Sequence, residues 1–137
     1  MTNNIYFLCS GNSCRGQIAE GYAKKYLPTW EVESAGVRAE DINPQAVKVM
    51  AEDNVDISQQ KSKTIDDLLL KQATIVVTLS GEARDKSGMP KSTRWFDWPI
   101  SDPTLATGTE TEITQTYRDV RDDIKQNILE LKKHIDN

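Results

Sequence analysis

The sequence predicts an α/β fold with a single domain over residues 1–137, a three-layer sandwich in which helices cover both faces of a central four-stranded parallel sheet. Short apolar or β-branched segments alternate along the chain with segments whose apolar residues recur at helical spacing. Residues 74–79 are largely β-branched and continuous rather than alternating, which is typical of a parallel strand covered on both faces. A length of 137 residues suits one such domain.

Each predicted element follows from a local pattern. The strands are residues 5–8, 30–34, 74–79 and 94–98, and the helices lie at residues 18–26, 44–50, 65–70 and 113–135. Pro28 closes the first helix, and Asn43 with Pro44 supplies an N-cap and a first-turn proline for the second. Apolar residues mark one face of the last helix, namely Ile113, Tyr117, Val120, Ile124, Leu131 and Ile135. The polar residues 104–111 are expected to form a surface loop.

The net charge and the cysteine content narrow the range of possible functions. A formal net charge of −4 and a pI near 5.0 argue against nucleic acid as a partner, because binding to a phosphate backbone needs clustered positive charge. Cys9 and Cys14 are too few and too close together for a secreted disulfide framework. The sequence contains no leader pattern and no apolar run approaching about 18 residues. We therefore expect a cytoplasmic monomer without membrane contact.

A short loop carries the chemistry. Cys9 and Arg15 are separated by five residues and lie between the first predicted strand and helix. Such a loop can turn successive backbone N–H groups inward as an anion nest, and the helix N-terminus adds partial positive charge. Arg15 adds a planar fork for two oxygens of a tetrahedral oxyanion. The predicted oxyanion-binding residues are Ser10, Gly11, Asn12, Ser13, Cys14, Arg15 and Gly16.

Cys9 is the predicted nucleophile. The positive field of the loop is expected to lower the pKa of its thiol and to populate the attacking thiolate. The alternative is a small buried cysteine at a strand end, with Arg15 as a solvated helix residue. Placement after an apolar strand, with Gly11 and Asn12 able to take positive φ, favours the functional interpretation.

At these residues the chain resembles the low-molecular-weight protein tyrosine phosphatase superfamily, and within it the thioredoxin-coupled arsenate reductases. The likeness covers nearly the whole chain and follows the reductases' order and spacing at residues 9–15, 17, 19–21, 34–36, 43–44, 56–58 and 77–79. Asn12 and Ser13 favour the reductase branch, because the phosphatases usually carry an apolar residue before the second cysteine. The resemblance implies a low-molecular-weight phosphatase-like fold, with Cys9 as nucleophile, Arg15 as oxyanion clamp and Asn12 shaping the loop.

A proton donor is also required, because oxygen leaves an arsenate or a phosphate ester poorly unless it is protonated. Asp102, which precedes a proline, resembles the family's Asp-Pro element and is the implied general acid. Asp97 is the rival, and an ordinary turn is the simpler explanation of an Asp-Pro pair. Thr104 and Leu105 follow where the phosphatases usually place aromatic residues, which counts against a phosphotyrosine preference.

The family pattern breaks at its redox relay. In the reductases, a second and a third cysteine after the central strand take the oxidation over from the first. Ser80 and Ser87 occupy those positions with the same six-residue separation, and serine cannot form a disulfide. Two explanations stand open, a double variant that traps the reaction and a natural lineage without the relay. Arsenate reduction would then require an external thiol acting on the Cys9-bound arsenic, from thioredoxin or a low-molecular-weight compound.

Three more positions near the loop carry expectations. Cys14 either pairs with Cys9 on oxidation or is a packing thiol. Gly16 replaces a serine or threonine whose hydroxyl supports the thiolate in relatives, so the pKa of Cys9 is expected to be depressed less than in those proteins. Some reductases bind potassium through residues that match Asn12, Glu20, Ser34 and an aspartate. Lys63 stands at the aspartate position, its ammonium is expected to replace the cation, and no metal or cofactor is expected.

Three functions fit these residues. The first is an arsenate-reductase-type enzyme, in which Cys9 attacks bound arsenate and a thiol releases arsenite. The second is a phosphatase that uses the same residues through a Cys9 thiophosphate. The third is an oxyanion-binding module without turnover, suggested by Gly16, Ser80 and Ser87.

Overall fold

Four parallel strands form the sheet of the computed structural model, which describes residues 3–135. They are β1 (Asn4–Cys9), β2 (Glu31–Gly36), β3 (Ile75–Thr78) and β4 (Trp95–Asp97), in the order β2-β1-β3-β4. Every neighbouring pair is parallel. β3 is buried throughout and lies in the interior of the sheet beside β1, as its continuous apolar character predicts.

Within residues 3–135 five helices cover the sheet, and a 3₁₀ turn forms at Pro103–Leu105. They are α1 (Arg15–Tyr26), α2 (Pro44–Glu52), α3 (Asp67–Gln72), α4 (Gly81–Lys86) and α5 (Glu110–Ile135). Alternate residues of β1 face opposite layers. Ile5 and Phe7 pack in the cluster that includes α1, α2 and α5, whereas Tyr6 and Leu8 pack with residues of α3 and α4. Helices on both faces of a four-stranded parallel sheet confirm the predicted fold class.

Helix ends follow the capping chemistry of the sequence. Asn43 Oδ1 accepts a hydrogen bond from the N–H of Gln45 at 2.8 Å, so α2 begins as predicted. The prediction of a helix at 65–70 is displaced, because Asp66 is the N-cap of α3. Residue Ile65 instead donates its N–H to Gly36 O at 3.1 Å, beside β2. The pattern of apolar residues therefore identified the helix but not its first residue.

The long C-terminal helix buries the predicted face. Tyr117, Val120, Ile124 and Leu131 are buried, together with Ile128, while Ile113 and Ile135 are partly buried against the same cluster. A fully buried aliphatic side chain contributes about 1.5–3 kcal/mol, so this face alone anchors α5 firmly. Within residues 3–135, no helix is both long and apolar enough to cross a membrane.

The strand order creates a crevice beside β1. The chain leaves β1 for β2 on one side and later returns to β3 on the other side, so the loops that follow β1 and β3 separate at their carboxyl ends. In open parallel sheets, ligands bind at such a switch point. The loop that begins at Cys9 lies there.

Candidate active site

The loop between β1 and α1 is held from outside by main-chain hydrogen bonds. Four of its carbonyl oxygens accept N–H donors from the segment after β2 at 2.8–3.0 Å, and these pairs are Cys9 with Val37, Ser10 with Arg38, Gly11 with Glu40 and Ser13 with Asn43. Because C=O and the next N–H point in opposite directions in a trans peptide, these bonds turn the following amides to the inner side of the loop. The sequence-predicted anion nest therefore has a structural basis.

Gly36 allows this close approach. A Cβ at this position would lie 2.4 Å from Arg38 O, 2.6 Å from Ser10 O and 2.7 Å from Asn12 N. All three atoms belong to the backbone, so any larger residue would push the loop away from β2. The glycine at the end of β2 thus serves the anion loop rather than the strand.

Asn12 shapes the loop as the resemblance implies. Its φ is 51°, a left-handed conformation that asparagine tolerates. Its Oδ1 accepts hydrogen bonds from Gln17 Nε2 at 2.9 Å and from Ser34 Oγ at 3.1 Å, and all three side chains are fully buried. Gly11 does not take positive φ, contrary to expectation; its missing side chain instead leaves room for the Glu40 carboxylate, 2.6 Å from where a Cβ would lie.

Cys9 lies at the bottom of a pocket that the loop encloses, and only 1% of its surface is exposed. Burial raises the pKa of its thiol, while hydrogen bonds from the Gly16 and Asn12 amides and the charge of Arg15 act in the opposite direction. The thiol also donates a hydrogen bond to Ala35 O at 3.8 Å. The predicted lowering of this pKa is therefore wrong, because desolvation outweighs the positive field.

Gly16 packs directly against the Cys9 sulfur. A Cβ at this position would lie 2.8 Å from Cys9 Sγ, so a serine or threonine would fit only after the sulfur or the loop moves. The Gly16 amide, rather than a hydroxyl, supplies the hydrogen bond to sulfur. The expectation that relatives with a hydroxyl at this position have a lower cysteine pKa stays a prediction.

Arg15 is not a solvated helix residue. Its side chain is 10% exposed, and its Nη1 donates to Ile100 O at 2.9 Å and to Leu79 O at 3.4 Å. Its Nη2 lies 3.8 Å from Asp102 Oδ2. The guanidinium is thus oriented at the pocket by carbonyls from two other segments before any anion binds.

The two candidate acids differ in position. Asp102 lines the pocket, and its Oδ1 accepts from Thr104 N at 3.0 Å and Thr104 Oγ1 at 2.7 Å. It therefore forms an ordinary turn and also faces Arg15. Asp97 does not line the pocket, because Thr78 Oγ1 donates to it at 2.7 Å and Arg84 lies 3.7 Å away. The geometry favours Asp102.

Ser80 and Ser87 lie at the two ends of α4, a helix that the sequence patterns did not predict. Ser80 Oγ caps the helix by accepting from Ala83 N at 3.1 Å, and it lies within hydrogen-bond distance of Ser10 Oγ, at 3.1 Å. Ser87 is the C-cap residue, and its buried Oγ has no hydrogen-bond partner among the described residues. Only the first of the two positions contacts the anion loop.

Cys14 precedes α1 and lies in the same pocket as Cys9. Burial raises the pKa of its thiol to about 12, so it is uncharged at neutral pH. Both cysteines are free thiols, and their pairing on oxidation stays a prediction.

Lys63 does not occupy the expected cation position. Its ammonium pairs with Glu33, while Glu20 Oε2 pairs with Lys24 Nζ at 2.6 Å and Glu20 Oε1 accepts from Ser34 Oγ at 2.6 Å. The expectation for Lys63 is wrong, because the neighbouring turn of α1 supplies the nearer ammonium. Within residues 3–135, no group of three or more His, Cys, Asp or Glu side chains is arranged to hold a metal ion.

Two pocket residues were missed by sequence reasoning. Arg38 and Glu40 line the pocket although they lie in the segment after β2. No local motif marks them, since only the register of that segment against the loop brings them to the site. The complete arrangement defines an α/β protein with a buried cysteine at the base of an oxyanion-binding loop.

Comparison with known proteins identifies the family. Residues 4–137 match the family described as low molecular weight phosphotyrosine protein phosphatase, and the chain belongs to that family. Similar sequences include the arsenate reductase of Halalkalibacterium halodurans, 50% identical over 90% of this chain and 91% of that protein. The arsenate reductase of Bacillus subtilis strain 168 is 49% identical over 92% of each chain.

Solved structures agree with this assignment. An arsenate reductase in the phosphate-binding state is 28% identical, with a TM-score of 0.78 over 98% of this chain and 99% of that chain. The tyrosine phosphatase AmsI of Erwinia amylovora has a TM-score of 0.86 over 100% of this chain and 95% of that chain. Its 17% identity shows the shared fold alone. The resemblance recognised in the sequence is confirmed.

Proposed function

We propose that the protein reduces arsenate to arsenite. Its main support is a buried cysteine at the base of an oxyanion-binding loop, in a chain 49–50% identical to proteins named arsenate reductase. The loop amides hold the arsenate, and Arg15 binds two of its oxygens. Asp102 protonates the departing oxygen.

The first step forms a sulfur–arsenic bond. Burial keeps the Cys9 thiol protonated, so its proton passes to the bound arsenate dianion, which is a base near neutral pH. The thiolate then attacks arsenic, and one arsenic–oxygen bond breaks as Asp102 delivers a proton and water leaves. The Asp102 side chain is 33% exposed, so it regains its proton from solvent.

The second step uses an external thiol, because serine stands at both relay positions. Thioredoxin or a low-molecular-weight thiol attacks the Cys9 sulfur as a thiolate and forms a mixed disulfide. The sulfur–arsenic bond breaks, its electron pair stays on arsenic, and arsenite leaves. A second thiolate then attacks the mixed disulfide and returns Cys9 to its reduced state. A monomer in the reducing cytoplasm remains the prediction that accompanies this scheme.

The test supplies arsenate with thioredoxin or with dithiothreitol and measures arsenite. The unmodified protein is expected to form arsenite, and Cys9→Ser is expected to lower turnover by roughly 10⁴-fold or more, as removal of other nucleophiles does. Calorimetry measures the binding of inorganic phosphate to both proteins and so verifies that the loop is intact. Arsenite formation by Cys9→Ser at the unmodified rate would contradict the proposal.

Hydrolysis of phosphate monoesters is the second candidate, and Ser80 with Ser87 favours it, because water resolves a Cys9 thiophosphate without a relay thiol. Leu105 is 77% exposed beyond Asp102 and offers no aromatic wall for a phenyl ring. A parallel assay with an aryl phosphate separates the candidates. Hydrolysis without arsenite formation supports a phosphatase. If neither arsenite nor hydrolysis is detected, the result supports an oxyanion-binding module without turnover.

A further inference from the structure

Arg38 lies at the rim of the oxyanion pocket, outside the Cys9–Arg15 loop. Its backbone is tied to that loop, because its N–H donates to Ser10 O at 3.0 Å. Its side chain is 54% exposed and therefore retains freedom to move. A second guanidinium thus stands at the mouth of the pocket on a fixed attachment point.

Two carboxylates hold this guanidinium. Nε donates to Glu40 Oε1 at 2.9 Å, and Nη1 donates to Glu82 Oε1 at 2.9 Å. Among the described residues, Nη2 has no hydrogen-bond acceptor. Ion pairs with this exposure contribute little to stability, so a competing anion can take the guanidinium at small cost.

The charges around the pocket determine how Arg38 responds to a bound anion. Arg15 and Arg38 are the two cationic side chains lining the pocket within residues 3–135, and Asp102 and Glu40 line it as anions. Glu82 adds a third carboxylate through Arg38, and hydrogen bonds from Ser10 and then Arg38 lower its pKa, so that it stays ionised. A tetrahedral dianion bound beneath these carboxylates is repelled unless a cation turns toward it.

We propose that Arg38 is a second oxyanion-binding residue, which exchanges its ion pair with Glu82 for the outer oxygens of an anion held by the Cys9–Arg15 loop. The inference rests on the proposed function only in requiring an oxyanion in that loop, and it does not require turnover. Glu82 is the competing acceptor. Loss of its charge therefore strengthens anion binding, provided that Arg38 is present.

Binding of inorganic phosphate to the full chain, measured by calorimetry, tests the exchange. Arg38→Gln is expected to weaken phosphate binding by about ten-fold, the loss of one charge-assisted contact. Arg84→Gln is the matched control, because Arg84 is a similarly exposed arginine that pairs with Asp85 at 3.0 Å and does not line the pocket. It removes the same charge and is expected to leave the affinity within about two-fold. Arg38→Lys, which keeps the charge but loses the fork, is expected to fall between them.

The competing carboxylate is tested in the same assay. Glu82→Gln is expected to tighten phosphate binding by about three-fold, since one exposed ion pair no longer competes. Glu130→Gln removes an equal charge from the exposed face of α5 and serves as the control. In the double variant Arg38→Gln with Glu82→Gln, the gain from Glu82→Gln is expected to vanish.

Each outcome decides the matter. An unchanged phosphate Kd in Arg38→Gln, or an equal gain from Glu82→Gln with and without Arg38, overturns the inference. A thermal unfolding midpoint near that of the unmodified chain shows that a variant is folded. If the cycle behaves as expected but no arsenite forms, the proposed function fails and the inference stands. If the unmodified protein binds no phosphate, both fail.

Discussion

The anion loop and the short helix α4 are neighbours, and they differ in how completely their side chains are satisfied. Around the loop, the Asn12 and Gln17 side chains have several hydrogen bonds each, and Arg15 is oriented by two carbonyls. At the start of α4, Ser80 Oγ accepts a hydrogen bond from Ala83 N and caps the helix. At its end, the buried Ser87 hydroxyl has no hydrogen-bond partner among the described residues. The polar side chains that shape the anion loop are therefore hydrogen-bonded, whereas α4 ends at a buried hydroxyl without a described partner.

After the loss expected for Cys9→Ser, the largest expected effect tests the loop side of this comparison. Asp102→Asn is expected to lower turnover by about 10²–10⁴-fold, because it removes the proposed proton donor to the departing oxygen. Asp97→Asn is the matched control and is expected to keep most of the turnover, since Asp97 is engaged with Thr78 outside the pocket. Steady-state rates of both variants with arsenate provide the measurement. A larger loss in Asp97→Asn would exchange the roles of the two residues.

The pH dependence of Cys9 alkylation also tests the anion-loop side of the comparison. Burial raises the pKa of its thiol, so alkylation by iodoacetamide is expected to accelerate by about ten-fold per pH unit, continuing beyond the ordinary cysteine value of about 8.5. The unfolded chain loses this proton at lower pH than the folded chain. The contribution of Cys9 to the free energy of unfolding is therefore complete below the ordinary cysteine pKa. It is lost as the pH rises through the raised pKa of the folded protein. Rates measured in Cys14→Ser isolate Cys9, and a midpoint below about 8.5 would contradict this cause.

Cysteine substitutions at the two proposed relay positions test the α4 side of the comparison. Cysteine at both Ser80 and Ser87 is expected to raise thioredoxin-dependent arsenite formation several-fold, because an internal disulfide then takes up the oxidation. Each single replacement serves as a control and is expected to give a smaller gain, since a lone added cysteine can form an internal disulfide only with Cys9. An unchanged rate in the double variant would show that these positions do not correspond to the relay.

The smallest expected effect sharpens the contrast between the two ends of α4. Ser80→Ala is expected to lower the free energy of unfolding by about 1 kcal/mol, because it removes the N-cap hydrogen bond. Ser87→Ala is expected to raise it by about 1 kcal/mol, since a buried hydroxyl without a partner is removed. Urea unfolding of the two variants measures the difference. Equal changes of the same sign would mean that the two serines do not differ in this way.

Most of the fold was predictable, and the failures have local causes. Continuous runs of apolar residues predict the strands, and periodic apolar residues predict the long helix. α4 spans only six residues, too few for a helical stripe, and its signal is the N-cap Ser80 followed by Glu82 in the first turn. The predicted start of α3 was displaced because Ile65 extends the apolar run to the N-terminal side of Asp66, whose side chain caps the helix.

The sequence by itself determined the contiguous part of the site. Cys9 to Arg15 are neighbours in the chain between a strand and a helix, so the proposed nucleophile and anion clamp follow from local order alone. Only the tertiary structure decided the properties that depend on distant neighbours. These are the raised pKa of Cys9, set by burial, and the position of Arg38, set by the register of the segment after β2. Burial and register arise from packing between segments, and no stretch of sequence encodes them separately.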